Sequence, residues 1–391
     1  MTPKPLAGIH VLDLTRLLPG NYCTWLLASL GASVLKIEDP GAGDYMRAFG
    51  VQVDGQGATH QLVNRGKRSA VISLKHEEGR GVFARLVERA DVVVSSFRPG
   101  VLERLGLGYA ELRRIRPSLV CAELTGFGRS GPLASVAAHD LNYLAFGGLL
   151  ERLGPAGGPP VPPPVPLADL VGGGLIPALA IVALVLSARA TGQGAHLDAS
   201  LAEGIALLPH LAIADILGGV QVPGRGGSDF GGGLACYSVY EARDGYVSVG
   251  AVEERFWQVV CEELGLPELV DIQYNAERQG EIREALAAVF RTQTRAEIER
   301  RFVDKDACVV AVSSYEEMLV SDQAKERGFV RTLPQLPMRV LAPPFVIDGE
   351  RPPEGLPAPR HGEHTLDVLR ELGLGEEEIE RLVAAGAAGA A

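Results

Sequence analysis

His10-Val-Leu-Asp-Leu-Thr15 reads as a short buried strand, and Ser33-Val-Leu-Lys-Ile-Glu38 repeats that pattern after a helical stretch over residues 20–31. Short apolar runs bounded by turn residues are what strands covered on both faces look like. Ala70-Val-Ile-Ser-Leu74, Ala90-Asp-Val-Val-Val-Ser95 and Leu119-Val-Cys-Ala-Glu-Leu124 continue the series. Helical patterns over 77–89 and 109–116 separate them. Strands that alternate with helices predict βαβ units and a parallel sheet. No Gly-x-Gly-x-x-Gly follows the first strand, so the usual dinucleotide fingerprint is missing.

Working outward, residues 154–166 are crowded with Pro and Gly and predict a loop that delivers Asp169. Residues 217–233, with Arg225 and Asp229, are Gly-rich and read as a linker. Beyond them, Gly245-Tyr-Val-Ser-Val-Gly250 alternates like a strand, and 254–264, 279–291 and 295–302 pattern as amphipathic helices. This predicts a second, smaller domain, as expected for 391 residues. Residues 333–360 read as extended, followed by a charged helix around 365–385 and an Ala/Gly tail expected to be disordered.

A composition of 47% hydrophobic and 22% charged residues suits a globular chain. The net charge of −11 argues against nucleic acid as partner, so an anionic ligand would need a local basic cluster. Five cysteines lie far apart, with no metal-ligand spacing, as in a reduced cytoplasmic protein. The first residues lack the apolar core of a signal peptide. Leu170 to Ser187 is uncharged and near bilayer-spanning length. Asp169 opens it, three glycines follow and Pro177 interrupts it, so it reads as a buried core helix rather than a membrane span.

The chemistry concentrates in Ala138-His139-Asp140-Leu-Asn-Tyr143 and Ala168-Asp169-Leu-Val-Gly172-Gly-Gly174. An imidazole and a carboxylate together can move a proton on and off a carbon beside a carbonyl. The glycine run could leave backbone N–H groups free for an oxyanion. Each residue also has a plainer reading, since Asp140 and Asp169 suit helix caps. Glu253 and Glu254 follow a strand; they are either a solvated pair or a carboxylate that orients an imidazole. Arg65, Lys67 and Arg68 precede one strand and Arg98 follows another, positions suited to phosphate.

Several segments resemble the family III coenzyme A transferase superfamily, which includes formyl-CoA transferase, carnitine CoA-transferase and α-methylacyl-CoA racemase. The matching stretches run almost end to end. They include Phe97-Arg-Pro-Gly-Val-Leu-Glu-Arg-Leu-Gly-Leu-Gly108, Thr125-Gly-Phe-Gly-Arg-Ser-Gly-Pro132 and Gly192-Gln-Gly-Ala-His-Leu-Asp198. The details are similar to the racemase branch, whose catalytic histidine, aspartate and glutamate fall on His139, Asp169 and Glu253. The transferase branch uses the same aspartate as nucleophile and usually lacks the histidine. One departure is Asp39, where the racemase branch often has arginine; Arg47 is the candidate substitute. Another is the dense Pro-rich loop 159–166.

The resemblance implies a Rossmann-like large domain over 1–200, completed by 325–391, a linker over 201–229 and a small domain over 230–324. It implies an interlocked homodimer in which Glu253 arrives from the partner subunit. The implied reaction is epimerisation of a 2-methylacyl-CoA through an enolate held by N–H groups near Asp169–Gly172. No cofactor or metal is needed, because CoA is part of the substrate. Arg16, Arg65, Lys67, Arg68, Arg98 and Tyr143 are the expected CoA-binding set. The alternatives are a CoA transferase working through an Asp169 anhydride and a non-catalytic CoA binder.

Overall fold

The structure, a computed structural model, describes residues 4–353 and 355–389. Its largest sheet has seven strands, in the order 388–389, 68–72, 33–38, 10–14, 92–95, 120–125, 196–200. The five pairings among the six strands from 68–72 to 196–200 are parallel, and only the short edge strand Ala388–Gly389 runs antiparallel, against Val71 and Ile72. In chain order the parallel strands run third, second, first, fourth, fifth, sixth across the sheet, the doubly wound arrangement. The order reverses between His10–Leu14 and Val92–Ser95. Loops leaving those two strands diverge and open a crevice at their carboxyl ends. The strand centres are dry: Val11, Val92, Val93, Val94 and Val120 are all buried.

The chain divides into two compact units. The first holds 1–147, 164–208 and 322–391; the second holds 148–163 and 209–321. In the first, Phe83, Leu112, Leu119 and Leu369 pack over the sheet. In the second, strands Tyr237–Ala242, Gly245–Gly250 and Val309–Ala311 form an antiparallel sheet. Helices Glu254–Leu264, Gln279–Phe290 and Arg295–Phe302 contribute Trp257, Phe290 and Ile298 to its core.

Several expectations change in detail. Residues 201–206 and 210–217, read as linker, are helical. Within 217–233, Arg225 donates from Nε to the Glu151 carbonyl at 2.7 Å and from its guanidinium to the Gly158 carbonyl, tying this stretch to the Pro-rich segment of the same unit. The charged C-terminal helix is two helices, Thr365–Glu371 and Glu376–Ala384, parted at Gly373, whose φ of +83° a helix cannot continue through. The Ala/Gly tail is ordered to Gly389 by pairing with Val71 and Ile72; residues 390–391 lie outside the described ones. The apolar stretch forms a continuous helix over Ala168–Thr191, long and apolar enough to cross a membrane. Its Pro177, Ala178, Ile181 and Val185 are nonetheless buried within the first unit.

Candidate active site

His139 caps the helix Asp140–Phe146; its backbone N–H donates to Asn142 Oδ1 at 3.0 Å. The cap leaves the ring exposed. Asp169 sits in a π-helical turn, Ala168–Leu175, that runs into the long helix Ile176–Thr191. Such turns recur at functional sites because one wide turn re-aims a side chain. The two segments are pinned together: Asp169 N–H donates to Asp140 Oδ1 at 3.0 Å. Asp140 is thus more than a helix cap. Burial, and then the nearby Asp140 charge, push the Asp169 carboxyl up to about 7. Tyr143, on the same short helix, donates its hydroxyl to the Ala138 carbonyl at 3.0 Å.

Three cavities in the first unit follow one another. The first, about 690 Å³, is walled by apolar side chains, among them Leu18, Tyr22, Trp25, Met46 and Leu62. The second, about 680 Å³, lies at the carboxyl ends of the strands and is lined by Arg16, Ser96, Arg98, Thr125 and Tyr143. Leu17, His139 and Asp169 line both. The third, about 520 Å³, shares Arg16, Tyr45 and Phe97 with the second and adds Asp39, Ser73 and Lys75. An apolar chamber and two chambers of mixed polar and apolar lining therefore adjoin one another, with His139 and Asp169 where the first two meet.

The triple glycine has a different job from the one expected. Gly172, Gly173 and Gly174 are buried. A Cβ on Gly172 would lie 2.4 Å from the Leu201 carbonyl oxygen, and one on Gly174 2.6 Å from the Tyr22 ring. The glycines let the π turn press against its neighbours. The N–H of Asp169 is taken by Asp140 and that of Leu170 by the Pro166 carbonyl at 3.1 Å, so neither is free for an oxyanion. The Thr125 hydroxyl is buried and has no hydrogen-bond partner among the described residues, and it lines the second cavity.

The expected CoA-binding set splits. Arg16, Arg98 and Tyr143 line the second cavity. Arg65 instead lies over the Trp25 ring at 4.6 Å in the apolar cavity wall and donates to the Leu62 carbonyl at 2.6 Å. Lys67 is buried, with Asp13, Thr24, Asn64 and the Asn21 carbonyl around its ammonium. It is a structural cation with no capacity left for phosphate. Arg68 forms a two-point pair with Glu371. These three cations are thus engaged by protein groups: Arg65 in the apolar cavity wall, Lys67 within the core and Arg68 with Glu371. Arg47 does not stand in for the residue replaced by Asp39: it is held by Glu38, by Gln56 and by the Pro359 carbonyl at 2.9 Å. Asp39 itself pairs with Arg16. Glu253 caps helix Glu254–Leu264 in the second unit and is exposed.

Missed in the sequence were Leu17, Tyr45, Ser96, Thr125 and Lys75. The available signal was positional, since all but Tyr45 stand at or just beyond the carboxyl end of a parallel strand.

With that geometry in place, comparison with known proteins defines the class. The sequence model of CoA-transferase family III matches residues 6–365, and the chain belongs to that family. It is 36% identical over 379 residues to human alpha-methylacyl-CoA racemase, covering 96% of each chain. It is 33% identical to mouse succinyl-CoA:glutarate CoA-transferase, covering 98% of this chain and 90% of the other. A CaiB/BaiF family protein from Brucella suis superposes with a TM-score of 0.82 at 28% identity, covering 95% of this chain and 100% of that one.

Proposed function

We propose that this enzyme exchanges the α-proton of a 2-methylacyl-CoA thioester and so interconverts its epimers. The observation that carries this reading is that His139 and Asp169 stand together where the first two cavities meet. With the acyl chain in the apolar chamber and the pantetheine arm in the two mixed ones, the thioester and its α-carbon fall at that junction. One group takes the α-proton, the enolate persists briefly, and the other group returns a proton to the opposite face. For that, one base must begin protonated. An Asp169 carboxyl poised at about 7 is available in both forms at neutral pH. In the reverse direction the roles exchange.

Arg98 and Tyr143 suit the pantetheine side, and Arg16 and Lys75 suit the phosphates in the third cavity. Glu253 is assigned the role of orienting His139 from a partner subunit.

A second reading, CoA transfer through an Asp169 anhydride, is supported by transferase relatives of similar identity. His139→Ala separates the two. The racemase reading expects epimerisation to fall by ~10²-fold or more, the usual weight of a general base. Near-normal CoA transfer to an added acid, with an acyl-enzyme trapped by hydroxylamine, would favour the transferase.

A homodimer is part of the proposal. Leu175, Leu179 and Leu186 on one helix are 53%, 71% and 66% exposed, an unpartnered apolar stripe in the single chain. A glutamate at a truly exposed position changes stability by only ~0.5 kcal/mol. Leu179→Glu is expected to lower the melting temperature and split the dimer in sedimentation. An unaltered dimer of unaltered stability would remove this face from the interface.

A further inference from the structure

We propose that the Leu17 side chain sets the size of the α-substituent accepted where the first two cavities meet. This rests on the acyl-CoA reading above, in which the α-carbon lies between His139 and Asp169. Among the described residues, only three line both cavities, and Leu17 is the one without acid–base chemistry. An α-carbon flanked by two bases still presents its small branch to a third wall. Leu17 is that wall.

The backbone at Leu17 shows that the fold holds this side chain there. Its φ is +63°, a left-handed conformation that glycine adopts freely and leucine resists. Such strain persists only where the surroundings over-determine it. Here the Leu17 N–H donates to Asp44 Oδ1 at 3.1 Å. Asp44 is itself buried, accepts from Asn21 Nδ2 at 2.6 Å and pairs with the fully buried Lys36 ammonium at 3.0 Å. A buried ion pair thus clamps a strained leucine. The side chain, 40% exposed, contributes little to the core and much to the cavity walls. A leucine leaves space for a methyl branch and opposes a larger one.

Leu17→Gly removes the wall and relieves the backbone strain together, so the variant is expected to melt at or above the wild-type temperature. Leu17→Ala serves as second variant if glycine loosens the helix start. Each is compared with wild type on 2-methyl- and 2-ethyldecanoyl-CoA, by α-proton exchange in D₂O and by calorimetric binding. The ratio of kcat/KM for methyl over ethyl is expected to fall by ~10-fold in the folded variants, the scale of one methylene in an apolar pocket. A ratio unchanged in both variants would overturn the proposal. If wild type exchanges neither substrate, the acyl-CoA isomerase reading fails separately. The binding ratio then decides: a methyl preference lost in the variants sustains Leu17 as the selecting wall, and an unchanged ratio overturns it.

Discussion

Asp169→Asn is expected to abolish epimerisation, leaving only the α-proton exchange that His139 supports on its own face, and to make the protein more stable above neutral pH. The amide cannot accept or return a proton, and loss of one acid–base partner removes ~10²–10⁴-fold in rate. The stability gain follows from linkage. The folded carboxyl titrates at about 7 against 3.8 for the unperturbed group, first because it is buried and then because Asp140 is near. Between those values the folded chain holds a proton that the unfolded chain has released, so wild-type stability falls as pH rises through that window. Below it both states are protonated and the carboxyl adds no penalty. Above it the folded state carries a buried carboxylate in full. The neutral amide escapes this dependence. Melting curves are expected to show variant and wild type close together near pH ~4 and the variant increasingly ahead up to about pH 7, with a constant gap beyond. A gap independent of pH would mean that Asp169 is not a perturbed carboxyl.

Asp44→Ala is expected to cost ~3–5 kcal/mol in chemical denaturation, the range for stripping one partner from a buried ion pair. Asp44 and Lys36 are both fully buried at their side chains. Burial favours the neutral acid, but Lys36, Asn21 and the N–H groups of Met46 and Leu17 outweigh it and hold the Asp44 carboxyl well below the usual range. Burial likewise opposes a charged Lys36, and Asp13, Asp44 and Glu38 keep it protonated. Removing Asp44 leaves that ammonium short of a counter-charge and frees the Leu17 N–H. Adding Lys36→Met to Asp44→Ala is expected to recover much of the loss, because the remaining penalty is an unpaired charge rather than lost packing. A cost below ~1 kcal/mol for Asp44→Ala, or no recovery in the double variant, would contradict the clamp.

Five of the six parallel strands were legible as compact apolar runs between helical patterns, Val92–Ser95 most plainly, whereas His196–Ser200, an only partly apolar strand at the sheet edge, was not. His139 and Asp169 were legible as a pair through their motifs. The cation assignments were not. Lys67 and Arg98 look alike in sequence, yet one is sealed by four polar partners and the other lines a cavity, and only the burial of the helix Leu17–Ser29 over the first strand separates them. The glycine run misled for a similar reason: glycine serves close packing and ligand approach equally well, and Leu201, distant in sequence, decides which. Leu17 carried no signal, since φ is invisible in a residue letter.

The most direct test of the central claim is proton NMR of a (2R)-2-methylacyl-CoA with the wild-type enzyme in D₂O, without any acceptor acid. Loss of the α-proton signal together with growth of the 2S epimer is the expected result. An α-proton that stays in place, with CoA transfer appearing once a free carboxylic acid is added, would contradict it and assign Asp169 to anhydride chemistry.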